Sequence, residues 1–315
     1  MCGVRGCQVL CAGLIDIPPP VVLVLADVWL VLMGLVIGSF LNVVIARVPQ
    51  GQSVVRPRSR CPKCGRGLTW YENIPVLSWI ALRGRCKGCH SPISIRYPAV
   101  ELLTAVLFAG CRWRFGWEWP LVPAILLVSL LIPLAFIDLE HWILPFELTR
   151  PGIVLGVLSA IPLGWGDVRD SAIGALAGFL VFWGLEWLGR KIAGQEALGG
   201  GDKYLLALLG GFLTYKCLLG VIFLSAFQGS IVGLLLKAFT GRAGPAAPPA
   251  SDVVVIPAVG ESMVESSPDE EEWVPGPSNL PFGPWLALAG LELLYFGPWI
   301  ASILPSPMGS LISGS

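Results

Sequence analysis

Two aspartates lie where long apolar segments begin or end, and a carboxylate in such a place needs a specific reason. Asp138 closes one apolar segment, and Asp202 follows the glycines at 199–201 directly before another. Two carboxylates within hydrogen-bonding reach share one proton, so one can activate a water molecule while the other protonates a carbonyl oxygen or a leaving amine. The pair therefore predicts hydrolysis of a peptide bond. The alternative is that each aspartate only caps a helix, which is ordinary for an aspartate at a helix N-terminus.

Four cysteines form a second chemical pattern, in two pairs that each have two residues between the sulfurs. They are Cys61, Cys64, Cys86 and Cys89. Each pair can curl both sulfurs onto one metal, so the spacing predicts a tetrahedral four-thiolate site. Four thiolates leave no position for water, which predicts a structural metal, with zinc expected first and iron second. His90 could replace one ligand, although we expect it to be an exposed loop residue.

Composition decides the class of protein that must position these groups. Of 315 residues, 55% are hydrophobic and 13% are charged, and the mean hydropathy is +0.74. A soluble domain carries about twice that fraction of charge, so the chain is predicted to be a polytopic membrane protein. The formal net charge of zero gives no sign of a nucleic-acid partner.

Apolar segments of about twenty residues predict an all-α fold with about eight transmembrane helices. Around them we predict an N-terminal extension (1–20), a first span (21–46), a polar loop with the cysteines (47–97), a membrane core (98–239), a polar loop (240–280), a last span (281–304) and a tail (305–315). Core spans are expected near 98–115, 120–138, 149–165, 170–189, 203–214 and 216–239. The short span 203–214 could be a half-helix, which would leave seven spans. No internal repeat is evident.

The charges of the loops orient these spans. Between 47 and 97 there are ten lysines and arginines against one acid, Glu72, which places this loop in the cytosol. Thiols stay reduced there, so metal binding is favoured over disulfides. Counting spans from this loop puts Asp138 and Asp202 at the cytosolic ends of their helices, at one depth. Arg112 and Arg114 then lie on the outer side of the membrane, contrary to the usual excess of basic residues in cytosolic loops.

Two further acidic features have ordinary interpretations. Asp27, within the first span, has no evident partner and is interpreted as a residue near the outer interface. The segment 240–280 is rich in proline, serine and acids, and this composition does not bury enough apolar surface to fold alone. It is predicted to be a flexible cytosolic linker, with an acidic docking tail for a basic partner as the alternative.

Several blocks in chain order carry a resemblance to a known family. Besides the paired cysteines they are Gly38–Val44, Arg47–Pro49, Trp70–Trp79, Arg96–Leu103, Phe136–Leu139, the Gly199-x-Gly201-Asp202 (GxGD) motif and Pro281–Pro284. With these blocks the chain resembles the bacterial type IV prepilin peptidases, over about residues 30–240 and 280–304. Members of this family are the leader peptidases and N-methyltransferases of pilus and type II secretion systems.

The resemblance implies a GxGD-type aspartic endopeptidase in the bacterial inner membrane, with its active site facing the cytosol. It would cut the leader from prepilins or pseudopilins, and Asp138 and Asp202 match the family's two catalytic aspartates. The second activity of the family methylates the new N-terminus with S-adenosylmethionine. Glu72, Gly84 and Arg85 match the loop motif to which that activity is attributed, although Arg85 stands where some members have lysine.

The expected partners are a prepilin or pseudopilin substrate and the lipid bilayer. The charges of the loops indicate which part of the protein meets each partner. The leader of such a substrate is basic, and the basic loop 47–97 would repel it while suiting anionic headgroups. We therefore expect Glu140 and Glu147 to meet the leader. Many members have an aspartate directly after Leu144–Pro145, whereas this chain has Phe146 and then Glu147.

The alternative function, from a different class of protein, is that of a non-enzymatic membrane scaffold or transporter with a zinc-ribbon docking domain. It would tolerate asparagine at both Asp138 and Asp202. The predicted spans hold few polar residues beyond these aspartates, and this disfavours a transport path.

Overall fold

The computed structural model describes residues 20–193, 199–241 and 280–303, and within them the chain is helical. The helices are α1 (Pro20–Arg47), α2 (Leu77–Ala81), α3 (Arg96–Phe115), α4 (Leu121–His141), α5 (Phe146–Ser159), α6 (Trp165–Ala193), α7 (Asp202–Thr240) and α8 (Gly283–Ile303). These ranges contain isolated β-bridges but no strand, which confirms the all-α prediction. The N-terminal extension, nearly all of the loop 240–280 and the tail lie outside the described residues.

Five of the described helices are long and apolar enough to cross a membrane, so the protein is a multi-pass membrane protein. They are Pro20–Gln50, Leu121–His141, Phe146–Leu163, Trp165–Ile192 and Asp202–Phe239. The predicted number of eight spans stays a prediction. The helix α3 carries Arg96, Glu101, Arg112 and Arg114, and its buried face packs against α1.

The long helix α7 is broken at Thr214, whose backbone has φ 66° and ψ 170°. A β-branched residue rarely adopts a positive φ, because its side chain then meets its own backbone. The break falls at the boundary that the sequence predicts between the segments 203–214 and 216–239. The first part of α7 is therefore short and distinct, and Asp202 is its first residue.

The core lies between α4, the first part of α7 and α8. Side chains of α4 such as Leu127, Leu131 and Ile137 are completely buried, as are Leu205 and Leu209 of α7. Many of the outward side chains of α1 are large, apolar and exposed, as expected for a helix that faces lipid. The ends of α4 and α7 that carry the two aspartates thus belong to the tightly packed centre of the bundle.

The crossing of α6 and α7 depends on glycine. A Cβ added to Gly210 would lie 2.2 Å from the carbonyl oxygen of Gly174, and one added to Gly178 would lie 2.6 Å from the carbonyl oxygen of Leu206. The two backbones are therefore in direct contact, which small residues allow between membrane helices. Close packing here fixes the first part of α7 against α6.

Replacing Gly210 with alanine is expected to lower the free energy of unfolding by about 3 kcal/mol, because the new methyl group meets backbone atoms that move only if the helices separate. The matched control is Gly184→Ala in α6, where an added Cβ would meet nothing within 4 Å. Thermal unfolding in detergent measures both variants. Equal melting temperatures for the two alanine variants would contradict the close crossing.

Asp27 corrects one expectation from the sequence, because it does have a partner. Its Oδ1 lies 2.8 Å from Nε of Arg112, so an ion pair joins α1 to α3. The guanidinium of Arg112 also lies over the ring of Trp117, 5.2 Å from its centroid. The basic residue that seemed to violate the charge rule is therefore neutralised by Asp27. The two residues lie 85 positions apart in the chain, so local pattern did not connect them.

Candidate functional site

Asp138 lies in the last turn of α4 and is buried, with 6% of its surface exposed. The N–H of Gly283, the first residue of α8, donates a hydrogen bond of 3.0 Å to its Oδ2. A Cβ at Gly283 would lie 2.6 Å from the same oxygen, so glycine permits this approach. The N-terminus of α8, the positive end of its dipole, is thus directed at the carboxylate.

Asp202 is the first residue of α7 and is equally buried, with 5% of its surface exposed. The residue before it, Gly201, packs against Leu144 so closely that a Cβ would lie 2.7 Å from the Cβ of Leu144. This contact brings the start of α7 to the segment that follows α4. The carboxylate of Asp202 lies close to the backbone of Gly199, where an added Cβ would be 3.3 Å from its Oδ2.

The structure brings the two aspartates into mutual electrostatic range, since the charge of Asp202 acts on Asp138. The capping alternative fails for Asp202, because its helix is capped at Gly201 and has no side-chain capping bond. Asp138 lies at a helix C-terminus, where the helix dipole disfavours a negative charge. Two buried carboxyls on separate helices, one within electrostatic range of the other, are the groups that a shared proton and a polarised water molecule would require.

Next to Asp202 begins a group of charged side chains that the sequence analysis did not single out. Lys203 follows Asp202, and its Nζ lies 2.8 Å from Glu186 of α6, which also bonds Arg190 at 2.8 Å. A buried glutamate in an apolar helix is a signal that sequence inspection could have used. Of the two acids expected to meet the leader, Glu140 is already engaged in an ion pair with Arg96, whereas Glu147 is exposed.

The four cysteines converge as their spacing predicts. Their sulfurs all lie within 4.8 Å of one another, and the sulfurs of Cys61 and Cys89 are 3.8 Å apart. A tetrahedral ion with bonds of about 2.3 Å to sulfur requires separations of about 3.8 Å, so the donor set fits zinc. The backbone N–H groups of Cys64 and Lys63 lower the pKa of Cys61, and the thiolate is the form of cysteine that binds metal.

The two cysteine pairs lie in equivalent turns, a structural repeat that the sequence analysis missed. The N–H groups of Cys61 and Cys86 donate to the carbonyl groups of residues five positions later, at 2.9 Å in both turns. Gly65 and His90 occupy the same place and both have positive φ, 70° and 55°. His90 is therefore an exposed turn residue, as expected, and is not a member of the metal cluster formed by the described residues.

The side chain of Glu72 is buried and stabilises the polar loop through internal bonds. One oxygen pairs with Arg66, and the other accepts bonds from the N–H and the hydroxyl of Thr69, at 2.8 and 2.7 Å. These bonds, first those from Thr69, lower the pKa of Glu72 to about 2. Arg66 also lies beside the second cysteine turn, since a Cβ at Gly88 would be 3.3 Å from its Nε. Glu72 thus ties the metal centre to the helical turn Trp70–Asn73.

Replacing Glu72 with glutamine is expected to destabilise the polar loop by about 2 kcal/mol at neutral pH, because Arg66 loses its charged partner. The folded pKa is lowered, so the contribution of Glu72 is complete at neutral pH and is lost only as pH falls from about 4.5 toward about 2. Hydrogen exchange of loop amides measures the change. The exposed Glu118→Gln serves as the control, and equal protection in both variants would contradict the bracing role.

The two other residues matched to methyl transfer differ from each other. Gly84 is a buried backbone junction with φ 65°, and an added Cβ would lie 2.9 Å from the ring of Trp79. Its N–H donates to the carbonyl of Trp79 and its carbonyl accepts from Ile93. Arg85 is exposed, and its guanidinium makes no bond within the described part of the chain. Of the three residues, only Arg85 presents a free functional group.

Glu101 of α3 is a further buried acid that sequence reasoning passed over. Its Oε2 accepts a hydrogen bond of 2.7 Å from the N–H of Val76, which has φ 60°. This contact fastens the polar loop to the membrane helices, because α3 packs against α1 at Gly38. The position of Glu101 within an apolar helix was the available signal.

Comparison with known protein families gives two matches that together cover most of the helical chain. Residues 32–115 match the model described as Bacterial Peptidase A24 N-terminal domain, and residues 125–234 match the Type IV leader peptidase family. The first match contains the cysteine loop and the second contains both aspartates. No solved structure matches the chain.

Curated relatives agree with the family models. A Prepilin leader peptidase/N-methyltransferase of Myxococcus xanthus is 51% identical, covering 91% of this chain and 95% of its own length. Proteins of the same name from Aeromonas hydrophila and Neisseria gonorrhoeae are 42% and 36% identical, covering 64% and 67% of this chain and 78% and 82% of their own lengths. By these matches, and by the aspartates and cysteines that they span, the chain belongs to the type IV leader peptidase family.

Proposed function

We propose that this protein is an aspartic endopeptidase that removes the leader peptide of a prepilin or pseudopilin and then methylates the new N-terminus. The observation that carries the proposal is that two buried carboxyls, Asp138 and Asp202, lie at the ends of two different helices, with Asp138 within electrostatic range of Asp202. Relatives that cover most of the chain carry the name of both activities. A scaffold or transporter gives no reason to bury two acids within electrostatic range of each other.

In the proposed hydrolysis, Asp138 and Asp202 share one proton and hold a water molecule between them. The ionised carboxylate takes a proton from the water molecule while the oxygen of that water attacks the scissile carbonyl carbon. The neutral partner gives its proton to the carbonyl oxygen and, as the C–N bond breaks, a proton reaches the leaving amine. Gly283 holds one oxygen of Asp138 by its hydrogen bond, which keeps that carboxylate oriented during these transfers.

The position of the pair suits a bond at the edge of an apolar helix. Both carboxyls lie at helix ends that join polar segments, so a substrate whose leader is polar and whose next segment is apolar could place the bond between them. We propose that these ends face the cytosol and that the protein resides in the bacterial inner membrane, because the adjoining loop 47–97 carries ten basic residues against one acid.

Methylation would use S-adenosylmethionine, which supplies the methyl group to the new amine. Among the residues matched to this activity, the exposed guanidinium of Arg85 fits a carboxylate ligand such as the amino-acid end of the donor. Glu72 and Gly84 would contribute by shaping the loop, since both are used in internal contacts. The zinc at the four cysteines would hold the loop together and take no part in bond breaking.

The decisive experiment is a mass measurement on one purified prepilin incubated with the full-length protein in detergent. Without methyl donor we expect loss of the leader alone. With S-adenosylmethionine we expect the mature product to gain the mass of one methylene group. An uncut prepilin would sink the proposed peptidase, and a cut but unmodified product would remove the methyl transfer only.

A further inference from the structure

A basic cavity lies where the polar loop meets the end of α1, and neither Asp138 nor Asp202 lines it. It has a volume of about 310 Å³ and is open on one side. Its polar lining comes from Arg47, Arg58, Ser59 and Asn73, and its apolar lining includes Val55. This volume is within the range of sites that bind small molecules or headgroups.

The cavity carries cationic donors that the protein itself leaves largely unused. One nitrogen of Arg47 donates to the carbonyl of Ser53 at 2.9 Å, which leaves its other donors available. Arg58 is exposed and makes no hydrogen bond or ion pair among residues 20–193, 199–241 and 280–303. The cavity lining contains no acid, and the only acid of the loop, Glu72, is paired with Arg66. An anion is therefore the expected ligand, and a guanidinium pair suits a phosphate group.

The surface beside the cavity is apolar although it belongs to a polar loop. Trp70, which lines the cavity, is 80% exposed, and Val55 is 78% exposed. Leu77 and Ile80 of the short helix α2 are also exposed, at 65% and 59%. A loop bathed only in water would not gather such side chains, whereas tryptophan and aliphatic residues are favoured at the bilayer boundary.

The end of α1, which lines the cavity, also lies at the level of the lipid headgroups. Val43 and Arg47 belong to the last turns of α1, a helix that is apolar over most of its length and exposes large side chains to lipid. At about 1.5 Å per residue, the 28 residues of α1 span more than the hydrocarbon thickness of about 30 Å, so its last turn lies among headgroups.

We propose that this cavity binds the phosphate-bearing headgroup of an anionic phospholipid and so holds the polar loop flat against the bilayer. The shared chemistry is a phosphate ester between two guanidinium groups. The bilayer is the favoured source because the apolar side chains next to the cavity continue the lipid-facing surface of α1. This proposal does not depend on the peptidase or methyl-transfer activity.

The test is a lipid titration of the full-length protein in detergent, with bound lipid counted by native mass spectrometry. Phosphatidylglycerol is expected to bind more tightly than phosphatidylcholine. Each guanidinium near an anionic headgroup contributes about fivefold, so Arg58→Gln should weaken phosphatidylglycerol binding by about fivefold and Arg47→Gln/Arg58→Gln by about thirtyfold. The matched control is Arg83→Gln, which removes an exposed charge from the same loop outside the cavity and should change affinity by less than twofold.

Three results would overturn the proposal. They are equal binding of phosphatidylcholine, an equal loss of affinity in Arg83→Gln and Arg58→Gln, and displacement of phosphatidylglycerol by inorganic phosphate or by S-adenosylmethionine, which would make the cavity a site for a soluble ligand. Metal content and thermal unfolding of each variant check the fold. Arg58→Gln keeps the test decisive even if Arg47→Gln disturbs the turn at Ser53, because Arg58 supports no other described residue.

Discussion

Asp138→Asn and Asp202→Asn are each expected to reduce leader cleavage by at least about 10³-fold while the protein still folds and inserts into the membrane. Asparagine has nearly the same size, and at position 138 it keeps an oxygen that can accept the bond from Gly283. It holds no exchangeable carboxyl proton, so the shared proton and the base that activates water are lost together. Cleavage of one prepilin under single-turnover conditions measures the effect.

The double variant decides whether the two aspartates act as a unit. If they share one proton, Asp138→Asn/Asp202→Asn should cleave no more slowly than either single variant, because groups that act as a unit are strongly non-additive. Asp27→Asn is the matched control, since it removes an acid from an ion pair between α1 and α3 and should leave cleavage within about twofold. Normal processing by either single variant would exclude that residue from the pair.

Removal of the metal is expected to unfold the polar loop. Between residues 51 and 95, the hydrophobic residues that are buried are Cys61 and Cys86, so the loop has almost no apolar core of its own. Stability must then come from the metal, and a structural zinc contributes about 10–16 kcal/mol of apparent binding free energy. Cys61→Ser/Cys86→Ser should lose the metal and the protection of loop amides from hydrogen exchange.

The Cys61→Ser/Cys86→Ser variant should lose more of its methyl-transfer activity than of its leader-cleavage activity. Methyl transfer is expected to fall below detection, because Gly84 and Arg85 lie next to a cysteine turn that no longer forms. Cleavage should fall less, since α4, α7 and α8 hold the aspartates without help from the loop. The control is Cys111→Ser, whose sulfur contacts Tyr295 within the helices and which should retain the metal. Loop amides equally protected with and without metal would contradict the structural role.

Features that depend on short stretches of chain could be predicted from the sequence. The spacing of the cysteine pairs predicts their convergence because two residues suffice to curl both sulfurs onto one ion. The apolar segments predict the helices, and the break at Thr214 falls where a short span was expected to end. For the same reason, the two aspartates were found as acids at the edges of apolar segments.

Features that join distant parts of the chain depend on how the helices pack. The partners of Asp27 and Glu140 lie 85 and 44 positions away, and no local pattern links such pairs. Glu72 illustrates the limit most clearly, because its motif suggested contact with a methyl donor whereas both oxygens are engaged with Arg66 and Thr69. Whether a carboxylate is free or used internally is a property of its neighbours in space.

The sequence by itself determined which groups this protein has for chemistry: two acids at the ends of apolar helices and four thiolates in a basic loop. Only the tertiary structure decided how they are held. Gly283 reaches Asp138 across 145 positions of the chain, and the contact between Gly174 and Gly210 fixes the helix that carries Asp202. The physical reason is that residue types and local spacing set the chemistry and the helices, whereas the distance between two helix ends is set by the packing of all the helices between them.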